Sequence, residues 1–383
     1  MLRNKDKGIT LIALVITIII LLILAGISIS ALTNQGLFKN AKAAQNATEK
    51  AEEEQGQRLN EYEDEINKYL GNSKDESKDD TKGTTVEEAI KKNGALSTTD
   101  NTELKDAKNN KIVVPAGFKI VEGATTVDKG IVIEDVTELG TKGSQFVWIP
   151  VGTIIKSDGT TATITLGRYD FDSTTGVEST YLGDFVEEDS SQASTLKKLG
   201  NTIAKNITNF KNSVATNGGY YIGRYEARTA TVRNAAGNAL TQITEKGTEN
   251  VYNYVTQLQA AQLSQNMYNS DKFTSDLMNS YAWDTATVFI QNCGTNAKYS
   301  RQNSLNKALA QTGTTTDMQC NIYDMASNVL EWTTETSRDS SKACVYRGGS
   351  CNGSGYYTSY RNNNPTSYSD VSFGFRPLLY VNV

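Results

Sequence analysis

Three observations predict a loop-rich α+β fold behind a long N-terminal helix. An uncharged apolar run lies near the start of the chain. Short β-branched or aromatic runs punctuated by glycine are typical of strands, and they lie at 111–123, 130–136, 145–152, 161–169 and 218–228. Helical apolar spacing occurs at 199–217, 254–269 and 277–293, and the last helix would turn a face to the core with Tyr281, Ala282, Ala286 and Phe289. Residues 294–320 and 333–372 have no period and are expected to be ordered loop.

The apolar run predicts a membrane helix. It extends over 24 uncharged residues from Ile9 to Leu32, which would form a helix of about 36 Å and cross a hydrocarbon core of about 30 Å. Basic residues before it (Arg3, Lys5 and Lys7) favour an N-terminus inside and the remaining chain outside. We therefore expect a single-pass protein of a bacterial cell membrane with an extracellular C-terminal domain. A secretory signal peptide, with an apolar region of about 7–15 residues, is the weaker interpretation, and a buried core helix is the third.

The start of this run resembles the type IV prepilin signal, in which a peptidase cuts after glycine and the apolar helix packs into a filament. The order is Lys7, Gly8 and then the apolar residues from Ile9. The resemblance implies a leader of residues 1–8 and cleavage between Gly8 and Ile9. Pilins usually have Glu at the fifth mature position, where this chain has Ala13, so an assembly contact is missing. A membrane anchor is expected, and a pilin-like filament subunit with pilin-type assembly partners is the alternative.

Composition divides the rest of the chain. Residues 33–70 are rich in Ala, Glu, Lys and Gln, which predicts a helical stalk whose charges lie on a solvated face or bind a partner. Residues 71–85 have clustered charge and predict a flexible linker. Residues 86–383 remain for the outside domain.

Charge and residue usage exclude several classes of function. A net charge of −5 and a pI near 5.2 argue against nucleic acid as a partner. The chain contains no His, which removes the usual acid–base residue, the Ser–His and Cys–His pairs and every imidazole metal site. Four Cys are too few for a disulfide scaffold, and the sequence leaves the pairing of Cys293, Cys320, Cys344 and Cys351 undecided.

Six motifs, read in order, resemble the formylglycine-generating enzyme, or sulfatase-modifying factor, family. They are FVWIPVG (146–152), GGYYIGRYEAR (218–228), SDLMNSYAWDTA (275–286), NIYDMASNVLEWT (321–333), YRGGS (346–350) and FGFRP (373–377). The resemblance spans residues 110–383 and implies that family's loop-rich variant of the C-type lectin fold. Trp148, Trp283 and Trp332 all fall inside the motifs and are expected to anchor the core.

The resemblance does not extend to the family's catalytic groups. Oxidising members place a copper-binding Cys pair at the third and eighth positions after the Ser of the RGGS motif, where this chain has Gly353 and Thr358. Cys351 is out of register with that pair. The related iron-dependent sulfoxide synthases use a His triad that this chain lacks. We therefore expect no catalytic cofactor and no enzyme activity, and a metal-dependent oxidase is the disfavoured alternative.

In the family that these motifs resemble, the loop that corresponds to residues 324–331 holds a calcium ion. The resemblance therefore implies a structural calcium ion here. The corresponding ligands are the carboxylates of Asp324 and Glu331 and the carbonyls of Ser327 and Val329. Oxygen ligands of this kind suit Ca²⁺. Ser327 stands where the family usually has Gly. The alternative is an Asp that caps a turn and a solvated Glu.

The segment between RGGS and GFRP has the composition of a binding surface. Tyr supplies stiff amphipathic contact area, and Ser, Gly and Asn supply adaptable hydrogen bonds. The arrangement also resembles the variable proteins of diversity-generating retroelements, which use the C-type lectin fold as a scaffold. The predicted ligand, of unknown identity, is a surface protein or glycan, and the alternative is that these residues only fill ordered loops. The candidate positions are Asn352, Ser354, Tyr356, Tyr357, Ser359, Tyr360, Asn362, Asn363, Asn364, Ser367, Tyr368, Ser369 and Asp370. Within the variable-looking stretch 346–377, Tyr356, Tyr357, Tyr360 and Tyr368 are expected to be exposed and clustered.

Overall fold

The computed structural model describes residues 84–172, 175–179, 181–187, 207–237, 244–353 and 355–383. They belong to one compact unit that begins at Asp80. The predicted leader, membrane helix and stalk, and the linker up to residue 83, lie outside the described residues. Within the described ranges, no helix has the length and apolar character that a membrane crossing requires.

Side-chain caps fix where three of the helices begin. The helices are α1 Val86–Lys92, α2 Ile207–Asn217, α3 Gln257–Gln265 and α4 Ser280–Cys293, with 3₁₀ turns at Val127–Lys129 and Tyr299–Arg301. Thr85 before α1 and Thr256 before α3 each form a capping box with the residue three positions on. Asn279 accepts a hydrogen bond from the Ala282 amide at the start of α4. The first predicted helix begins at 199, and its residues 199–206 lie outside the described ranges.

The strands are short and numerous. In chain order they are β1 Thr102–Lys105, β2 Lys111–Val114, β3 Phe118–Ile120, β4 Val132–Asp135, β5 Gln145–Pro150, β6 Gly152–Ile155, β7 Thr161–Ile164, β8 Tyr169–Asp170, β9 Val177–Glu178, β10 Phe185–Val186, β11 Gly219–Gly223, β12 Arg228–Thr229, β13 Asn250–Val251, β14 Phe273–Leu277, β15 Met318–Gln319, β16 Ile322–Tyr323, β17 Leu330–Ser337, β18 Cys344–Arg347, β19 Arg361–Asn364, β20 Phe373–Phe375 and β21 Pro377–Val381. Every predicted strand segment contains at least one of them, so the α+β class is confirmed.

A six-stranded antiparallel sheet carries the main core, in the order β14-β21-β11-β5-β4-β3. Two of its inner strands, β11 and β21, are buried along their whole length, which explains their continuous apolar sequences. Tyr221 lies opposite Trp148 in the register, and the two ring centroids are 4.9 Å apart. Helix α2 covers this sheet, because Phe210 packs edge-on against Tyr220 and Tyr380.

A five-stranded sheet carries the Tyr-rich segment. Its path is β10-β17-β18-β19, and β20 pairs with β17 in parallel. The expectation that 333–372 is loop was therefore wrong, since most of β17 and all of β18 and β19 lie there. Strand β17 has no apolar alternation because all eight residues are buried, and most of them are Thr, Ser or Glu. In 294–320 the described structure has one 3₁₀ turn and the two-residue strand β15, as predicted.

The family motifs meet inside the molecule. Trp148, Trp283 and Trp332 are fully buried, as predicted. The backbone of RGGS lies directly against that of DMAS, and a Cβ on Gly349 would stand 1.7 Å from the Ala326 carbonyl oxygen. Only glycine permits this approach. The close approach of the two backbones therefore explains why the RGGS motif has glycine at position 349.

Three of the four α4 residues that were predicted to face the core are buried. Ala282, Ala286 and Phe289 are fully buried. Tyr281 is half-buried, and the Lys211 ammonium lies 3.8 Å from its ring centroid. Tyr281 therefore covers the edge of the core.

Candidate functional site

The Tyr-rich segment is pinned to the fold at several backbone positions. The indole Nε1 of Trp283 donates to the Thr358 carbonyl at 2.9 Å. The amide and hydroxyl of Ser359 both donate to the Ser300 carbonyl. Residues 361–364 then form β19, which pairs with β18 in antiparallel register. The segment is therefore a structured platform.

Tyr360 is the centre of a ring cluster. Its centroid lies 5.0 Å from Tyr356 and 5.7 Å from Tyr357, both in edge-to-face geometry. Tyr346 of β18 lies 6.2 Å away on a third side. Edge-to-face pairs of this kind contribute about 0.5–1.5 kcal/mol each beyond their buried area. We call Tyr346, Tyr356, Tyr357, Tyr360 and Tyr368 the tyrosine cluster.

Phe373 links the last tyrosine to the others. Its ring centroid is 4.9 Å from Tyr346 and 5.0 Å from Tyr368. Tyr368 is exposed, at 37%. Tyr356, Tyr357 and Tyr360 are half-buried. The predicted tyrosines do cluster, but only Tyr368 is exposed, because the other three bury part of their area against one another.

The polar candidates differ in how much of them reaches the surface. Asn352 and Ser367 are exposed, and Ser359 is buried with its hydroxyl committed to Ser300. Ser354 lies outside the described residues. The half-buried candidates are Asn362, Asn363, Asn364, Ser369 and Asp370.

Two of these polar side chains hold the platform. Asn362 Nδ2 donates to the Tyr360 hydroxyl at 2.9 Å, and Asn363 Nδ2 donates to the Lys342 carbonyl at 2.7 Å. Their amide groups therefore support the tyrosine cluster and the neighbouring turn.

A buried ion network lies beneath the segment. Arg347 donates to Asp284 at 2.5 Å, and Arg361 donates to Asp284 at 2.8 Å and to Glu335 at 3.0 Å. Arg168 pairs with the other oxygen of Glu335. Burial opposes the charged form of Asp284, but Arg347 and Arg361 outweigh it and lower the pKa of this carboxyl. The network ties β18 and β19 to α4 and β17.

A cleft of about 360 Å³ opens beside this network. Tyr357, Ser359 and Arg361 line it from the Tyr-rich segment. Opposite them are the β8–β9 hairpin, with Tyr169, and the turn that leads to β10. Only Tyr357 and Ser359 were among the predicted site residues.

Arg361 and Arg301 were missed from the sequence. Arg361 is the only basic residue between Arg347 and Arg376, and that isolation was its one available signal. Arg301 lies with its guanidinium 4.9 Å from the Tyr357 ring centroid and donates to the Asp172 carbonyl at 2.7 Å. No local pattern marks this contact, because the partners are far apart in sequence.

Asp324, the first predicted calcium ligand, is buried inside its own turn. It has a positive φ of 64° and accepts hydrogen bonds from the Thr315 hydroxyl and from the Gly313 amide at 3.2 Å. The Ser327 hydroxyl lies 3.1 Å from the same carboxylate. Burial raises the pKa of Asp324.

Glu331, the second predicted carboxylate ligand, is paired with Arg376. Its oxygens accept from Arg376 Nη2 at 2.7 Å and Nε at 3.2 Å. Glu226, which the sequence did not indicate, accepts from the Val329 amide at 3.1 Å and from Asn328 Nδ2 at 2.5 Å. Among the described side chains, no group of three or more His, Cys, Asp or Glu is arranged as a metal site. A calcium ion here would compete with Arg376 for Glu331, and the site stays a prediction.

The cysteines are unpaired thiols. Cys351 is buried, its Sγ lies 3.7 Å from Asn352 Oδ1, and burial raises its pKa to about 11. Burial likewise raises the pKa of Cys344 and of Cys293 to about 12. Because the thiolate is the nucleophile and metal ligand, these environments oppose thiol chemistry.

Comparison with known proteins covers part of the chain. The model of the sulfatase-modifying factor enzyme 1-like domain matches residues 255–379. No curated protein matches. Treponema denticola variable protein 1 aligns with a TM-score of 0.35 and 13% identity over 63% of this chain and 97% of its own. A structure titled "Crystal Structure of CarF" aligns with a TM-score of 0.31 and 13% identity over 43% of this chain and 87% of its own.

Both TM-scores are below 0.5, so neither alignment assigns a fold or a ligand to this chain. The family match stands on its own, and it contains four of the six motifs, from SDLMNSYAWDTA to FGFRP. Residues 255–379 of this chain are therefore similar to the sulfatase-modifying factor enzyme 1-like domain.

Proposed function

We propose that this chain is a non-catalytic binding protein whose ligand is recognised by residues 352–370, which we call the recognition surface. The observation that carries the proposal is the tyrosine cluster, held on a backbone that Trp283 and Ser300 pin from below. Rings that are already ordered lose little conformational entropy when a ligand covers them. Exposed Asn352 and Ser367 supply the adaptable rim around the rings.

The absence of catalysis is part of this proposal. The family's copper-binding positions are Gly353 and Thr358, and the chain contains no His. The neighbouring thiol of Cys351 has a pKa raised by burial. These residues favour binding over oxidation.

The scaffold and its variation are also proposals. A C-type lectin-like fold suits a design in which fixed strands carry changeable loop residues, and β18 and β20 flank the recognition surface here. Diversification by a retroelement predicts a reverse transcriptase gene nearby and a near-copy of the 3′ end that differs only at adenines. Flanking DNA without either feature would leave a fixed binding surface.

Membrane anchoring through Ile9–Leu32 is the proposed route to the cell surface. A protease added to intact cells should then remove the C-terminal domain, and protection in intact but not lysed cells would contradict this topology. Gly8→Ala should leave a longer precursor if the leader is cleaved. An N-terminus that is unchanged by the substitution on sequencing would exclude cleavage at this position.

Structural calcium at Asp324 and Glu331 remains our proposal for the motif loop. If the ion binds only the folded chain, excess Ca²⁺ should raise the melting temperature over that in chelator, and Asp324→Ala should remove the difference. Equal melting temperatures of the unsubstituted chain in both buffers would mean that Arg376 alone satisfies Glu331.

Binding by the recognition surface is tested with the full chain, solubilised in a detergent without a sugar head group and applied to arrays of glycans and of secreted proteins. Tyr368→Ala should lower the signal of a bound species by tenfold or more, since central aromatic contacts typically contribute about 2 kcal/mol or more. Its melting temperature should be unchanged. Tyr221→Ala, a core control, should lower the melting temperature. A signal that is indifferent to Tyr368→Ala and Tyr356→Ala would place recognition elsewhere.

A further inference from the structure

The cleft beside the recognition surface has the features of a small-ligand subsite. Its volume of about 360 Å³ lies at the small end of the roughly 300–1,000 Å³ usual for ligand pockets. One wall carries the rings of Tyr169 and Phe171, whose centroids are 5.8 Å apart. The lining also includes Tyr357, with the Arg301 guanidinium 4.9 Å from its ring centroid. The space is suited to one ring-sized group.

Arg361 brings an unpaired donor to this cleft. Its side chain is 10% exposed, with Nε donating to Glu335 and Nη2 donating to Asp284. Its Nη1 has no hydrogen-bond partner among the described residues, and Arg361 is a lining residue of the cleft. Because Arg361 lines an open cleft, water can satisfy this donor, and a ligand oxygen can take the place of that water.

The charges around the cleft are balanced. Arg301 lines the cleft with the exposed Asp170 and Asp172. The buried network beside it adds three guanidiniums and two carboxylates, so four positive and four negative charges cancel; the network residues are Arg168, Arg347, Arg361, Asp284 and Glu335. An anionic ligand meets the two exposed carboxylates, and a cationic ligand meets the guanidiniums of Arg301 and Arg361. A neutral ligand with several hydroxyl groups donates to the carboxylates and accepts from the guanidiniums, while its apolar face packs on tyrosine.

We propose that this cleft binds one neutral hexopyranose residue. Arg361 Nη1 donates to a ring or hydroxyl oxygen, Asp170 accepts from a hydroxyl, and Tyr357 packs on the sugar face. The inference deepens the proposed function and rests on it, because Tyr357 belongs to the recognition surface as well as to the cleft. It narrows the protein or glycan ligand to a glycan at this subsite.

The test measures binding of lactose, maltose, cellobiose and chitobiose to the full chain by calorimetry, in a detergent without a sugar head group. At least one sugar should bind, and Asp170→Asn and Tyr357→Ala should each weaken it by about tenfold. Asp158→Asn is the matched control, because Asp158 and Asp170 are both exposed and each accepts from the amide two residues on. The control should leave the sugar affinity unchanged.

The charge of the sugar supplies the second arm. Glucuronate and glucosamine should bind at least tenfold more weakly than glucose, and tighter binding of either would overturn a site for neutral sugars. Absence of binding by all four disaccharides up to 20 mM, a generous ceiling for weak sites, would also overturn the proposal. Tyr368→Ala separates the two ideas, since Tyr368 does not line the cleft. If Tyr368→Ala abolishes array binding while no sugar binds, the recognition surface stands and the cleft proposal fails.

Discussion

Arg376 and Arg347 show why two arginine motifs enclose the Tyr-rich segment. Both guanidiniums are fully buried, and each is paired with a carboxylate from another motif, Glu331 for Arg376 and Asp284 for Arg347. Arg376 also donates to the carbonyls of Gly223 and Tyr323. A buried pair of this kind is costly to break, because the remaining partner keeps its charge without solvent.

Arg376→Met should lower the free energy of unfolding by about 3–5 kcal/mol, since it leaves Glu331 charged and unpaired. The measurement is urea unfolding, with exposed Arg338→Met as the matched control. Adding Glu331→Leu to Arg376→Met should recover part of the loss, because it removes the orphaned carboxylate. An Arg376→Met midpoint equal to that of Arg338→Met would show that the pair contributes nothing to the fold.

Cys351 should react slowly with iodoacetamide at pH 8. With a pKa near 11, about one molecule in a thousand carries the thiolate at that pH, against roughly a quarter for an unperturbed thiol of pKa about 8.5. Labelling followed by peptide mass spectrometry should therefore be about two orders of magnitude slower in the folded chain than in urea. Equal rates would restore Cys351 as a candidate for thiol chemistry.

At the scale of elements, the sequence predicted the strands whose buried side chains are mostly apolar. Strands β4, β5 and β11 were predicted because their buried side chains are Val, Ile, Trp and Tyr. Strands β17 and β19 were not, because burial there depends on Glu335 and Arg361 neutralising each other across the sheet. A carboxylate and a guanidinium each look solvent-exposed in a sequence until their partner is known.

The same limit applies to the candidate site. Tyr composition predicted the segment that we propose as the recognition surface, including Tyr357, which lines the cleft. The position of Tyr169 in the cleft could not be predicted. Its amide donates a hydrogen bond to Asp284, which lies 115 residues away in the sequence. Contacts of such sequence separation leave no local pattern.

Glu187 should make stability depend on pH at the start of α4. Its carboxylate accepts from the Ser280 amide at 2.7 Å and from the Thr334 hydroxyl at 2.6 Å. Burial, then the neighbouring charge of Glu335, raises its pKa from 4.5 to about 7. Because the folded chain holds this proton more tightly than the unfolded chain, the stabilisation is complete below about pH 4.5 and is lost as pH rises through about 7.

Glu187→Gln should flatten this dependence, since the amide does not titrate. Its oxygen accepts from the Ser280 amide, and its Nε2 donates to the Thr334 hydroxyl oxygen. Urea unfolding between pH 4.5 and 7.5 measures it, and exposed Glu122→Gln serves as the control. The difference in unfolding free energy between the Gln variant and the unsubstituted chain should change steadily across this window. Parallel pH profiles would mean that Glu187 titrates normally in the fold.

For the whole molecule, the proposed function assigns stability mainly to the motif residues and recognition mainly to the exposed residues of the recognition surface. The motifs pack together through buried tryptophans, through buried ion pairs and through the backbone contact at Gly349. The recognition surface lies on that framework, with Asn352, Ser367 and Tyr368 contributing exposed area. Such a division permits the surface to change while the fold remains.

This separation is tested most directly by the melting temperature of one combined variant of the three exposed positions, Asn352→Ser, Ser367→Tyr and Tyr368→Ser. Surface substitutions usually change stability by less than about 0.5 kcal/mol each, so we expect its melting temperature to lie within about 5 °C of the unsubstituted chain. Tyr346→Ser, which removes the buried ring of the tyrosine cluster, should lower the melting temperature more than the three exposed substitutions together. A fall of about 10 °C or more in the combined variant would show that these residues are core, and the recognition surface would not exist.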